Sequence, residues 1–142
     1  MEPGLKKQNK GRTTRDGIRI HDQAEFAGMH AAGRLAAQIL DEIAEHVVPG
    51  QTTGALDKMI EDKVNAAGAK SATIGYKGYQ HASCISVNHV VCHGIPGDKK
   101  LKDGDILNID VTVIVDGWYG DTSRMYVAGK LARKPERLIE IT

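Results

Sequence analysis

The stretch Asp105–Arg124 (DILNIDVTVIVDGWYGDTSR) constrains the fold more than any other part of the chain. Asp116-Gly117 lies between runs of β-branched residues and is the dipeptide a type I′ turn favours, so the flanking segments are predicted to pair as an antiparallel hairpin with a two-residue loop. A loop of that length sets the register. Val115 falls opposite Trp118, Thr112 opposite Asp121 and Asp110 opposite Ser123. Because side chains alternate across a strand, Leu107, Ile109, Val111, Val113 and Val115 share one face while Asp110 and Asp121 share the other. The first face reads as core. On the second, the two carboxylates are diagonal neighbours with Cβ atoms about 7 Å apart or less, able to bracket two metal ions about 3.5–4 Å apart.

With 142 residues, 41% of them hydrophobic, the chain can bury one real core but not two comfortable ones. A formal charge of +1 names no nucleic-acid or membrane partner. The charge is uneven, because Lys6, Lys7, Lys10, Arg12 and Arg15 face only Glu2 in the first fifteen residues. Residues 1–20 are therefore expected to be a basic, disordered tail, and 21–142 the folded part. No apolar leader and no run of about 18 apolar residues is visible, which predicts a cytoplasmic protein. Cys84 and Cys92 have no zinc-type spacing and are expected to be buried free thiols.

Along the chain, Asp22-Gln-Ala-Glu25 has the form of a capping box and should open a helix. Its apolar stripe is predicted as Phe26, Met29, Gly33, Ala36, Leu40, Ile43 and Val47, ending at Pro49-Gly50, with small residues allowing close approach to a sheet. Thr52 or Thr53 should cap a second helix carrying Leu56, Ile60 and Val64 and ending near Gly68. Cys84–Cys92 alternates as a strand, and His93-Gly-Ile-Pro-Gly97 breaks it. A last helix opens near Pro135 and has run only about two turns at Thr142, so the chain is expected to continue in a longer protein.

On the residues alone, Asp110 and Asp121 read equally as polar groups on a wet face or as metal ligands. Asn108 and Thr112 beside Asp110 suit the orientation of a ligating carboxylate, and Gly120 is expected to leave room beside Asp121. Two carboxylates suit Mn, Mg, Fe or Zn but complete the shell of none. His93, at a strand end before a Gly-Ile-Pro turn, is the best nitrogen donor for a cleft. Tyr76 and Tyr79 read as loop-packing residues. No nucleophile elbow, P-loop, zincin or dinucleotide motif occurs.

The segments Gly75–Pro96, Leu101–Asp110 and Gly120–Arg124, in this order and at these separations, resemble the bacterial type I methionine aminopeptidases. The similarity runs from about Asp22 to the last residue. It implies an α+β chain of the pita-bread α/β fold, a curved antiparallel sheet with helices on its outer face, of which about half would be present. It also implies a metallo-exopeptidase, a hydrolase that removes the initiator methionine from nascent polypeptide N-termini, with the ribosome as a neighbour and a monomeric full-length form. By position, the resemblance makes Asp110 and Asp121 ligands of two divalent ions, which would be Co, Mn, Fe or Zn. His93 would be catalytic and touch substrate, while Tyr76, Tyr79 and Cys84 would fall at the methionine side-chain pocket. Asn88 and Val90 would bind a monovalent cation through backbone oxygens, and Thr73 stands where relatives often have Cys. The family's other ligands, one His and two Glu, would lie beyond Thr142, so these 142 residues are expected to be inactive alone. A non-catalytic module on the same scaffold and a proline dipeptidase are the competing expectations.

Overall fold

The computed structural model describes residues 12–130 and 133–141. The first helix, α1 (Gln23–Ile43), opens with the capping box read from the sequence. Asp22 Oδ1 accepts from the amides of Ala24 and Glu25, each at 3.0 Å, and Glu25 Oε2 accepts from the Asp22 amide at 3.0 Å. A 3₁₀ turn over Ala44–His46 ends the run before Pro49. A second helix, α2 (Thr53–Ala66), starts where the Thr52 hydroxyl accepts from the Ala55 amide at 3.1 Å, and it buries Leu56, Ile60 and Val64 as predicted.

Four antiparallel strands follow: β1 (Lys70–Ser71), β2 (Ser83–Val87), β3 (Asp105–Val115) and β4 (Trp118–Ala128). β3 is central. Its one edge pairs with β4 over the whole hairpin, and the other carries β1 near Ile114 and β2 from Leu107 to Val111. The derived register holds, with Val115 opposite Trp118, Thr112 opposite Asp121 and Asp110 opposite Ser123. Asp116 and Gly117 have φ of 49° and 85°, the two positive angles of a type I′ turn. Leu107, Ile109, Val111 and Val113 are buried with Ile39, Leu40, Ile43, Leu56 and Ile60 in one core between sheet and helices. A last helix, α3 (Arg133–Ile141), follows β4.

Several expectations need correction. The buried face of α1 is Ala32, Ala36, Ile39, Leu40 and Ile43, whereas Phe26 and Met29 are 49% and 43% exposed. The small residues set this rotation. α1 crosses β4 at Gly120, where an added Cβ would stand 2.3 Å from the carbonyl carbon and oxygen of Ala32. Gly120 is paired with Val113 and so belongs to the core face; it makes room for the helix, not for the carboxylates. At its lower end the helix is tied to the sheet by the Tyr126 hydroxyl, which donates to the Leu40 carbonyl at 2.6 Å, one of the last carbonyls that a helix leaves unpaired.

β2 stops at Val87 and not at Cys92, because Asn88 turns to φ 54°. There the Asn88 side chain donates to Asp105 Oδ1 at 2.9 Å and accepts from the Ile106 amide at 3.1 Å, closing the ladder. Cys92 is consequently exposed and only Cys84 is partly buried. Residues 12–20, expected in a disordered tail, form a small turn in which Thr13 bridges Arg19 and Gly17 donates to the Thr14 carbonyl. Asp16-Gly17 supplies the turn dipeptide, with Gly17 at φ 80°, and Arg19 pairs with Glu25 of the capping box. Lys6, Lys7 and Lys10 lie outside the described residues.

Candidate functional site

The face of the sheet turned away from α1 and α2 carries Asn108, Asp110 and Thr112 from β3, Asp121 and Ser123 from β4, and Cys84 from β2. Cys84 stands directly opposite Asp110 across one ladder, and Asp121 is diagonal to it across the other. Asn108 Nδ2 donates to the Ser123 hydroxyl at 3.3 Å, spanning the hairpin beside the pair. Burial pushes the Asp110 carboxyl above the usual aspartate range, and the negative charge and hydrogen bonding of Asp121 push it further, against a smaller downward pull from His93. The hairpin thus holds two carboxylates in mutual repulsion with an imidazole near them.

His93 reaches this face because its loop lies flat on β2. The Ile85 amide donates to the Gly94 carbonyl at 2.8 Å, and the Gly94 amide donates to the Ser86 hydroxyl at 3.0 Å. A Cβ on Gly94 would come within 2.1 Å of the Ile85 carbonyl oxygen, so only glycine permits the contact. His93 itself takes φ 54° and is exposed.

A cleft of about 520 Å³ opens beside the pair and brings together Thr73, Tyr76, Tyr79, Cys84 and His93. Tyr79 donates its hydroxyl to the Ser83 carbonyl at 2.8 Å; burial, then the Cys84 thiol, push its phenol well above the ordinary tyrosine value. Thr73 Oγ1 donates to the His81 carbonyl at 2.6 Å. Lys77, Gly78 and Ile95 complete the lining and were not singled out from the sequence. Ile95 was readable as the residue that follows the close-approach glycine. Asn88 and Val90 do not line this cleft. Val90 instead borders a smaller cavity of about 230 Å³ with Thr53, Gly94 and Gly97.

Asp110 and Asp121 fit a divalent cation in kind, since a carboxylate whose charge is disfavoured by burial and by a neighbouring carboxylate is stabilised by a positive ion beside it. No group of three or more His, Cys, Asp and Glu placed to hold a metal ion occurs among the described residues, and two carboxylates alone would not complete a divalent ion's shell. The repulsion predicts a pH signature in the metal-free chain. Folded Asp110 holds its proton to higher pH than the unfolded residue, so stability is lost as pH rises through that raised pKa. Asp110→Asn is expected to raise the metal-free Tm at pH 7, a gain that disappears below the ordinary aspartate range. An unchanged or lower Tm at pH 7 would mean that the pair is not strained.

An antiparallel hairpin that presents paired carboxylates beside a histidine and an apolar cleft is a metallopeptidase arrangement. Residues 27–142 match metallopeptidase family M24, and the chain belongs to that family. Within it, the chain is 55% identical over 125 residues to the methionine aminopeptidase of Rickettsia prowazekii (strain Madrid E), covering 88% of this chain and 48% of that one. It is 54% identical over 127 residues to the methionine aminopeptidase of Escherichia coli K12, again with 88% and 48% covered. It therefore spans about half the length of the curated relatives it matches. The crystal structure of the Rickettsia enzyme superposes with a TM-score of 0.87, covering 88% of this chain and 50% of that one. Prolidase from Pyrococcus furiosus, at 21% identity, superposes with a TM-score of 0.74 over 86% of this chain and 35% of that one, which shows the shared pita-bread fold. No helix among the described residues is long and apolar enough to cross a membrane.

Proposed function

We propose that this chain forms the N-terminal share of an aminopeptidase that releases methionine from the N-termini of nascent polypeptides. The observation that carries this reading is the juxtaposition of the Tyr79–Cys84 cleft with the Asp110–Asp121 pair and His93. Two divalent ions, held by these carboxylates and by ligands from a longer polypeptide, would polarise the scissile carbonyl and lower the pKa of a bound water. Asp110 and Asp121 supply negative charge from a rigid strand pair, so little reorganisation accompanies binding. His93 would donate a hydrogen bond where negative charge grows on the substrate's carbonyl oxygen. Tyr76, Tyr79 and Cys84 would seat the side chain, since an unbranched thioether fits a narrow apolar wall containing sulfur and aromatic edges. The carbonyls of Asn88 and Val90 are assigned to a monovalent cation that stiffens the turn after β2.

The reading places the protein in the cytoplasm, as a monomer acting on chains as they leave the ribosome, with Co, Mn, Fe or Zn as the metal. Its support is the identity to the methionine aminopeptidases of Rickettsia prowazekii and Escherichia coli K12. A polypeptide of the relatives' length, supplied with Mn²⁺ or Co²⁺, is expected to hydrolyse a Met-Ala-Ser peptide and to leave an Ala-Pro dipeptide intact. These 142 residues alone are expected to turn over neither. Cleavage of Ala-Pro in preference to the Met peptide would assign the site to proline dipeptides instead.

A further inference from the structure

We propose that Asp57, on the buried side of α2, is the positioning residue for the wall of the Tyr79–Cys84 cleft. Asp57 is 6% exposed and the only acid among the buried residues described. A carboxylate in a core costs several kcal/mol unless its oxygens are hydrogen-bonded, and an apolar residue would fit α2 more cheaply. Both of its oxygens are hydrogen-bonded, and the donors come from one short segment. Oδ1 accepts from the Ser83 amide at 2.8 Å and the Ser83 hydroxyl at 2.7 Å, while Oδ2 lies 3.1 Å from His81 Nδ1.

Both residues held by Asp57 support Tyr79. The Tyr79 hydroxyl donates to the Ser83 carbonyl at 2.8 Å, and its ring meets the His81 ring edge-on with centroids 5.5 Å apart. Cys84, the next residue after Ser83, lines the cleft with Tyr79. The segment needs such an anchor, because Lys77 sits at φ 48° and Gly75 and Gly78 at 87° and 83°, with only one short 3₁₀ turn between β1 and β2. The proposal rests on reading the cleft as a side-chain pocket, but it concerns the shape of the wall whatever enters it.

The test is site-resolved alkylation of the 142-residue chain with iodoacetamide, read by mass spectrometry, with exposed Cys92 as the internal reference. Asp57→Asn is expected to raise the Cys84-to-Cys92 rate ratio about tenfold, the scale set by losing a charge-assisted hydrogen bond. His81→Ala, at a part-exposed position that folding tolerates better, should raise the ratio by a smaller factor. Val64→Ala, on the same helix but away from the network, should lower thermal stability and leave the ratio unchanged. An unchanged ratio in His81→Ala, or an equal rise in Val64→Ala, would overturn the proposal. Turnover is not the readout, so a failed aminopeptidase reading would leave the ratio change intact.

Discussion

Gly120→Val is expected to remove a large share of the chain's folding stability. A Cβ at residue 120 stands 2.3 Å from the carbonyl carbon and oxygen of Ala32 and 2.6 Å from the Gly33 amide nitrogen. These are backbone atoms in mid-helix and cannot rotate away, so α1 must lift off β4. Lifting it exposes Ala36, Ile39, Leu40 and Ile43, which are at most 1% exposed, and breaks the Tyr126 to Leu40 hydrogen bond. Overpacking alone costs about 1–3 kcal/mol. Added to the lost burial, the expected loss is about 4 kcal/mol or more, a large share of the ~5–15 kcal/mol of a typical domain. Urea denaturation followed by circular dichroism checks it. Gly33→Ala is the contrasting substitution, because nothing lies within 4 Å of the added atom. There the helix should gain roughly 0.5–1 kcal/mol.

The second large effect falls on chemistry. In a polypeptide of the relatives' length, Asp110→Asn and Asp121→Asn are each expected to lower turnover of a Met-Ala-Ser peptide by about 10³-fold or more, the scale of losing a charged group that organises a reaction centre. Asparagine keeps the shape and removes the repulsion that raises the Asp110 pKa, so folding should survive. Lost turnover would then report on the site and not on the scaffold. Cys84→Ala should act differently, raising KM with a smaller change in kcat, since Cys84 lines the cleft proposed to seat the substrate side chain.

How much of this was legible in the sequence depends on how local the physics is. The hairpin register followed from Asp116-Gly117 and the two-residue period, because a tight turn fixes every pair along it. The capping box of α1 and the Thr52 cap of α2 were legible for the same reason. The face that α1 buries was not, because it depends on which small residues meet Gly120 across the sheet. Gly120 was misassigned since neighbours in sequence, Gly120 and Asp121, point to opposite faces. The end of β2 turns on a left-handed Asn88, which the alternating pattern through Cys92 hides. Asp57 gave no signal, since one acid on an amphipathic helix looks like solvated surface until its partners, 24 and 26 residues away, are in place. At the site, motif order singled out Asp110, Asp121 and His93, whose roles belong to the proposed function, and Tyr76, Tyr79 and Cys84 line one cleft with His93.

The role proposed for the Asp110 and Asp121 carboxylates is to hold divalent metal. Calorimetric titration with Mn²⁺ of a polypeptide of the relatives' length, compared with its Asp110→Asn, Asp121→Asn double variant, tests it most directly. Two bound ions per chain are expected in the unaltered protein, with loss of both tight sites in the folded double variant. Equal stoichiometry and affinity in the two proteins would contradict it.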